Sequence, residues 1–269
     1  MSKEDVARPR RFDIGAFREL TEARIALGRP GAALPTKAEQ TFLLDHARAR
    51  AAVWSEVDWT RISAALNASE LPSLPVASAA ADRQIYVRRP DLGRQLCAEG
   101  AEALDRLAGS FKVAPDITIV IGDGLSATAV DFNAAPLATA LAERLKARGM
   151  TLAPIILAER ARVALGDPIG KALGAKVVVI LIGERPGLSA ADSLGAYLTF
   201  APEPGTPDSR RNCLSNIREG GLTIERAAAS IADLCAGMIK AGLSGVGLQA
   251  ALEREGSASV SLTADEGNA

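Results

Sequence analysis

The sequence predicts an α/β protein: a Rossmann-like open, mostly parallel sheet with helices on both faces, preceded by a helical N-terminal module. Two observations carry this. Short apolar runs recur at 117–121, 152–157 and 177–182, the pattern of strands covered on both faces, with a more mixed fourth candidate at 196–201. Helical stretches alternate with them: 136–148 ended by Gly149, 167–173 ended by Gly174, and a long final helix over 224–240. That alternation predicts parallel strands joined by crossover helices.

In chain order, residues 1–67 form the helical module. Ile14, Phe17, Leu20 and Ile25 mark an apolar stripe, and Gly28-Arg29-Pro30-Gly31 breaks it. Thr36 is then expected to cap a helix carrying Phe42, Leu43 and Val53, and Trp54 and Trp59 to anchor the module to the rest. Residues 68–81, with Pro72, Pro75, serines and alanines, predict a linker. The α/β domain occupies 82–255 and begins with a helix opened by Pro90-Asp91, with Leu92, Leu96, Leu104 and Leu107 on one face. Residues 256–269 are a Ser/Gly/acidic tail, expected to be flexible.

Composition narrows the chemistry. The 269 residues are 48% hydrophobic and 23% charged with a formal net charge of −1, which suits a soluble protein with one sizeable core. There is one histidine, His46, and the three cysteines (Cys97, Cys213, Cys235) have no C-x-x-C spacing, so a zinc site and a histidine-based triad are not expected. Near-zero charge and 4% aromatic residues argue against nucleic acid. No apolar run approaches the roughly 20 residues of a membrane helix, and the N-terminus lacks a secretory apolar segment, so the expected location is the cytoplasm.

Ligands of open α/β sheets bind beyond the carboxyl ends of the strands, which singles out four loops. Gly122-Asp123-Gly124-Leu125-Ser126-Ala127 matches G-x-G-x-x-A weakly and could seat a phosphate, but it reads more readily as a structural turn shaped by two glycines, and Asp123 would repel a pyrophosphate. Glu159-Arg160-Ala161-Arg162-Val163 precedes Asp167, expected as a helix cap. Gly183-Glu184-Arg185-Pro186-Gly187 places a carboxylate one residue beyond the most apolar strand. The fourth loop, 208–221, is rich in hydrogen-bonding groups and holds Cys213. Together they describe a polar-lined surface without a recognisable catalytic base.

Several segments occur in a telling order: Thr21-Glu22-Ala23-Arg24-Ile25, Leu44-Asp45-His46-Ala47-Arg48, Arg89-Pro90-Asp91-Leu92-Gly93-Arg94, Gly183-Glu184-Arg185-Pro186-Gly187-Leu188 and Cys213-Leu214-Ser215-Asn216-Ile217. In that order and spacing, from Phe12 to Leu243, the chain resembles the small (light, or β) subunit of ethanolamine ammonia-lyase. The resemblance implies conversion of ethanolamine to acetaldehyde and ammonia by a radical route with adenosylcobalamin, as a carbon-nitrogen lyase inactive without its large subunit. The large subunit's barrel would hold ethanolamine and the catalytic residues, with six large and six small chains in the complex. The small subunit would pack over the cobalamin, and the family's contacts fall on Val163, Glu184 and Cys213. Lack of an Asp-x-His-x-x-Gly motif implies base-on cobalamin, with cobalt held by the corrin and its own nucleotide base. The family also implies packaging in a bacterial microcompartment, linked to an N-terminal extension that is short here. The reading left beside it is a stand-alone Rossmann-like nucleotide-binding oxidoreductase using the Gly122–Ala127 turn.

Overall fold

The computed structural model describes residues 14–251 except residue 22; the expected tail over 256–269 lies outside the described residues. Six strands form one sheet in the order β1-β3-β2-β4-β5-β6: β1 (Ser73–Ala77), β2 (Ile117–Gly122), β3 (Ile155–Glu159), β4 (Val177–Gly183), β5 (Leu194–Phe200) and β6 (Arg211–Ile217). The first four in that order pair in parallel, while β5 and β6 add antiparallel strands at one side. The sheet is mixed and mostly parallel, as the sequence predicts.

Alternation along the central strands sorts their side chains between two cores. Ile117, Ile119 and Ile121 of β2, with Val177, Val179 and Leu181 of β4, face α2 (Trp59–Ala68), α5 (Ala127–Ala147) and α7 (Ile224–Ala241). Val120, Val178, Ile180 and Ile182 face the opposite way, toward α4 (Ala98–Gly109) and α6 (Gly166–Ala172). Each face buries its own apolar layer, which is why β2 and β4 read as unbroken apolar runs.

Several expectations need correction. Residues 68–81 are not a linker: they contain β1, an edge strand paired only with β3. Pro75 is tolerated there because an edge position leaves one side of the backbone unpaired. The segment 208–221 is not simply a loop, because half of it is β6, an edge strand whose exposed residues disguise it. Residue 152 makes only an isolated bridge to Ile117, and β3 itself starts after Pro154. Helix α5 begins at Ala127, well before Pro136: the Ser126 hydroxyl accepts the Ala129 N–H at 3.1 Å and caps it, and Pro136 lies inside the helix. Pro90-Asp91 opens only a short 3-10 turn, Leu92–Arg94, and α4 starts at Ala98, capped by the Cys97 sulfur, which accepts the Gly100 N–H at 3.3 Å.

At the N-terminal end, α1 spans Thr36–Trp54, with Pro35 at the cap position and no side-chain cap bond from Thr36. The preceding stripe forms a 3-10 turn over Ile14–Glu19. Of the two tryptophans, Trp59 packs on the core, whereas Trp54 is 47% exposed and lies outside the core clusters.

Candidate functional site

Three loops at the carboxyl ends of β2, β3 and β4 enclose a cleft of about 410 Å³ lined by Tyr86, Gly124, Leu125, Arg162, Val163, Ile182, Gly183, Glu184, Arg185 and Tyr197. Val163 and Glu184, predicted on separate loops, meet here. Cys213 does not line the cleft. It lies on β6, opposite Tyr197 of β5, so it borders the site through that tyrosine. Its placement on a strand corrects the expected post-strand loop.

The Gly122–Ala127 turn is packed shut against β4. A Cβ on Gly124, whose φ is +57°, would lie 2.1 Å from the Gly183 carbonyl oxygen, and one on Gly183 would lie 2.2 Å from the Ser126 carbonyl oxygen. The Leu125 N–H donates to the Gly183 carbonyl at 2.9 Å. Inside the turn, Asp123 accepts the Ala161 N–H at 2.7 Å and pairs with Arg83 at 3.0 Å. The turn is a structural one with a buried carboxylate where a pyrophosphate would need to lie.

Burial pushes the Asp123 carboxyl up to about 6, against the Arg83 guanidinium and the backbone N–H of Ala161, which favour the anion. The folded chain therefore holds this proton more tightly than the unfolded one, and the stability that it contributes is present at low pH and lost as the pH rises through about 6. Relative to Asp123→Asn, the unsubstituted chain is expected to lose stability between about pH 4 and 6 and then level off. Urea unfolding of both chains across that range checks it; a pH-independent difference contradicts it.

The two arginines beyond β3 are not solvated, as a surface loop would have them. Arg160 donates to the Ala80 carbonyl at 2.7 Å and pairs with Glu159. The Arg162 guanidinium lies 4.3 Å from the Tyr86 ring centroid, over its face, and donates to the Tyr86 carbonyl. Arg83 covers the same ring at 4.9 Å, and the buried Tyr86 hydroxyl donates to the Ala161 carbonyl. Tyr86 is thus a rigid wall between cations. Asp167 is not a helix cap either. Fully buried, it receives two parallel hydrogen bonds from Arg211 of β6, at 2.6 and 2.7 Å. This pair ties the turn that carries Val163 to the strand that carries Cys213.

Tyr86, Tyr197 and Arg162 escaped the sequence reading as site residues. A signal existed: the chain has only two tyrosines, and both line the cleft. Burial, then the adjoining Cys213 thiol, raise the Tyr197 phenol above its ordinary value, so it stays a neutral donor. Cys235, buried on α7, is pushed up to about 12 by burial and belongs to the core.

The cleft offers an acceptor (Glu184), donors (Arg162, Arg185) and the half-buried Tyr197 ring, whereas His46 is exposed on α1, stacked on Phe42. Among the described residues no group of three His, Cys, Asp or Glu could hold a metal ion, and no helix is long and apolar enough to cross a membrane. Fold and cleft define an α/β protein with a mixed, mostly parallel six-stranded sheet and an open, polar-rimmed cleft beyond the carboxyl ends of its parallel strands. The family model for the ethanolamine ammonia-lyase light chain (EutC) matches residues 13–249. The chain belongs to that family. It is 52% identical to the ethanolamine ammonia-lyase small subunit of Bradyrhizobium diazoefficiens over 91% of this chain and 93% of the relative. The small subunits of Pseudomonas syringae pv. tomato (49%, covering 87% and 81%) and Ralstonia nicotianae (51%, covering 79% of each) are similar.

Proposed function

We propose that this chain supplies part of the cobalamin site of an adenosylcobalamin-dependent ethanolamine ammonia-lyase, while a large subunit holds ethanolamine. One observation supports this above the others: Val163 and Glu184 converge on a single cleft at the carboxyl ends of the parallel strands, with Cys213 beside it. The donor set fits cobalamin. A corrin rim fringed with amides both donates and accepts, and the cleft mixes a carboxylate with two guanidinium groups. Cobalt arrives chelated by the corrin and, in the base-on form, by its own nucleotide base, so the protein need offer no metal ligand.

When bound, adenosylcobalamin supplies the carbon-centred radical that begins the reaction. This chain's residues bind and orient. Glu184 accepts hydrogen bonds from corrin amides or a hydroxyl, Val163 contributes apolar or backbone contact, and Cys213 packs near the ring or its tail. The working complex contains six large and six small chains, and packaging in a microcompartment is consistent with the family. No side chain of this subunit performs the bond-breaking step.

In the assembled complex, Glu184→Ala is expected to weaken adenosylcobalamin binding by about 1–3 kcal/mol. Equilibrium titration of the cofactor checks it, and an unchanged dissociation constant overturns the role given to Glu184.

A further inference from the structure

Glu184 is held in place by neighbours that line up on one of its two oxygens. The buried Ser193 hydroxyl donates to Oε2, and so does the Asn216 backbone N–H at 3.3 Å. The Glu184 N–H donates to the Ser193 carbonyl at 3.0 Å, so backbone and side chain are fixed from the same residue. Neither side-chain contact falls on Oε1. That oxygen lies over Gly195, where an added Cβ would come within 2.9 Å of it and 3.1 Å of the Glu184 Cγ. Gly195 and Tyr197 point to the same face of β5, and Tyr197 lines the cleft, so Oε1 is on the cleft side.

The backbone is shaped for this arrangement. The β5/β6 pairing slips opposite Gly195, with Leu194 facing Ile217 but Ala196 facing Leu214, so β6 carries an extra residue there. Asn216 sits in that bulge at a φ of +59°, a left-handed conformation that asparagine tolerates better than most residues. The bulge turns its N–H out of the ladder toward the carboxylate.

We propose that Ser193, Gly195 and the Asn216 backbone form a clamp that positions Glu184, fixing Oε2 and leaving Oε1 as the acceptor offered to cobalamin. This rests on the reading of Glu184 as a cobalamin ligand. The three are positioning residues, acting through Glu184. Gly195→Ala is the informative change: its methyl would lie 2.9 Å from Oε1, the free end of a flexible side chain, and 3.1 Å from Cε2 of the Tyr197 ring, so the carboxylate is the group pressed hardest and the one most able to move.

The test is a set of double-mutant cycles on the assembled two-subunit enzyme, titrated with adenosylcobalamin. Ser193→Ala and Gly195→Ala are each expected to weaken binding about 5- to 10-fold, raising the KM for the cofactor with kcat at saturation held within about twofold. In the Glu184→Ala background both effects vanish. Asn216→Gly, which keeps the N–H and the left-handed backbone, retains affinity, whereas Asn216→Val weakens it. The clamp is overturned if Ser193→Ala and Gly195→Ala leave affinity unchanged while Glu184→Ala weakens it, or if their effects persist undiminished without Glu184. An unchanged affinity in Glu184→Ala itself overturns the underlying reading and the clamp together.

Discussion

Asp167→Ala is expected to destabilise the chain by about 3–5 kcal/mol, the cost of taking the bidentate carboxylate from a buried guanidinium that keeps only the solvent-exposed Asp208, 3.2 Å from its Nε, as counter-charge. For a domain of this size that lowers the melting temperature by roughly 6–20 °C. The Arg211 side chain is 4% exposed and Asp167 wholly buried, so water cannot replace the lost carboxylate. Arg211 also donates to the Thr199 hydroxyl and the Thr206 carbonyl, which keep it in place and unable to swing to solvent. Because desolvation offsets much of an ion pair's attraction, replacing both partners with apolar residues (Asp167→Leu with Arg211→Met) should cost less than Asp167→Ala alone. Thermal melts of the three chains check both statements, and a single variant as stable as the parent contradicts them. The pair also joins the Val163 turn to β6, so the weakened chain should hold cobalamin less well in the complex.

Gly183→Ala is expected to damage both fold and site. Its methyl would press to 2.2 Å from the Ser126 carbonyl oxygen and 2.6 Å from that of Asp123, both backbone atoms of the turn that leads from β2 into α5. Neither can move without parting the end of β4 from the turn after β2, the two walls of the cleft. Overpacking of this kind costs about 1–3 kcal/mol or more, and cobalamin binding in the complex should fall by more than about tenfold, since one unit of 1.4 kcal/mol is a factor of ten. Gly187, four residues on in the same loop, is the control: a Cβ there meets nothing closer than 3.8 Å, so Gly187→Ala should bind normally. Equal behaviour of the two variants would show that the close approach at Gly183 does not shape the site.

Much of this was legible in the sequence because physics left a mark on it. Strands buried on both faces must be apolar throughout, so β2 and β4 announced themselves, and the rule that ligands lie beyond parallel strands led to the two loops on which the family resemblance placed Val163 and Glu184. Edge strands leave a weaker mark. Pro75 disguised β1, and the exposed alternation of Asn212, Cys213 and Ser215 disguised β6. Pro136 drew the expected start of α5 nine residues too late, although Ser126 carried the cap signal. Ser193, Gly195 and Tyr197 were beyond reach for a different reason. They lie on or beside β5, an antiparallel strand whose contribution to the cleft depends on its register with β4 and on the bulge in β6. Likewise Asp123 and Asp167 looked like a loop charge and a cap, because their partners Arg83 and Arg211 are 40 and 44 residues away.

The most direct measurement is acetaldehyde formation by this chain co-purified with a large subunit of the same family, supplied with adenosylcobalamin and ethanolamine. Acetaldehyde and ammonia are expected in equal amounts only when both chains and the cofactor are present, with Glu184→Ala requiring more cofactor for the same rate. A stable two-subunit complex that retains cobalamin yet forms no acetaldehyde would contradict that expectation.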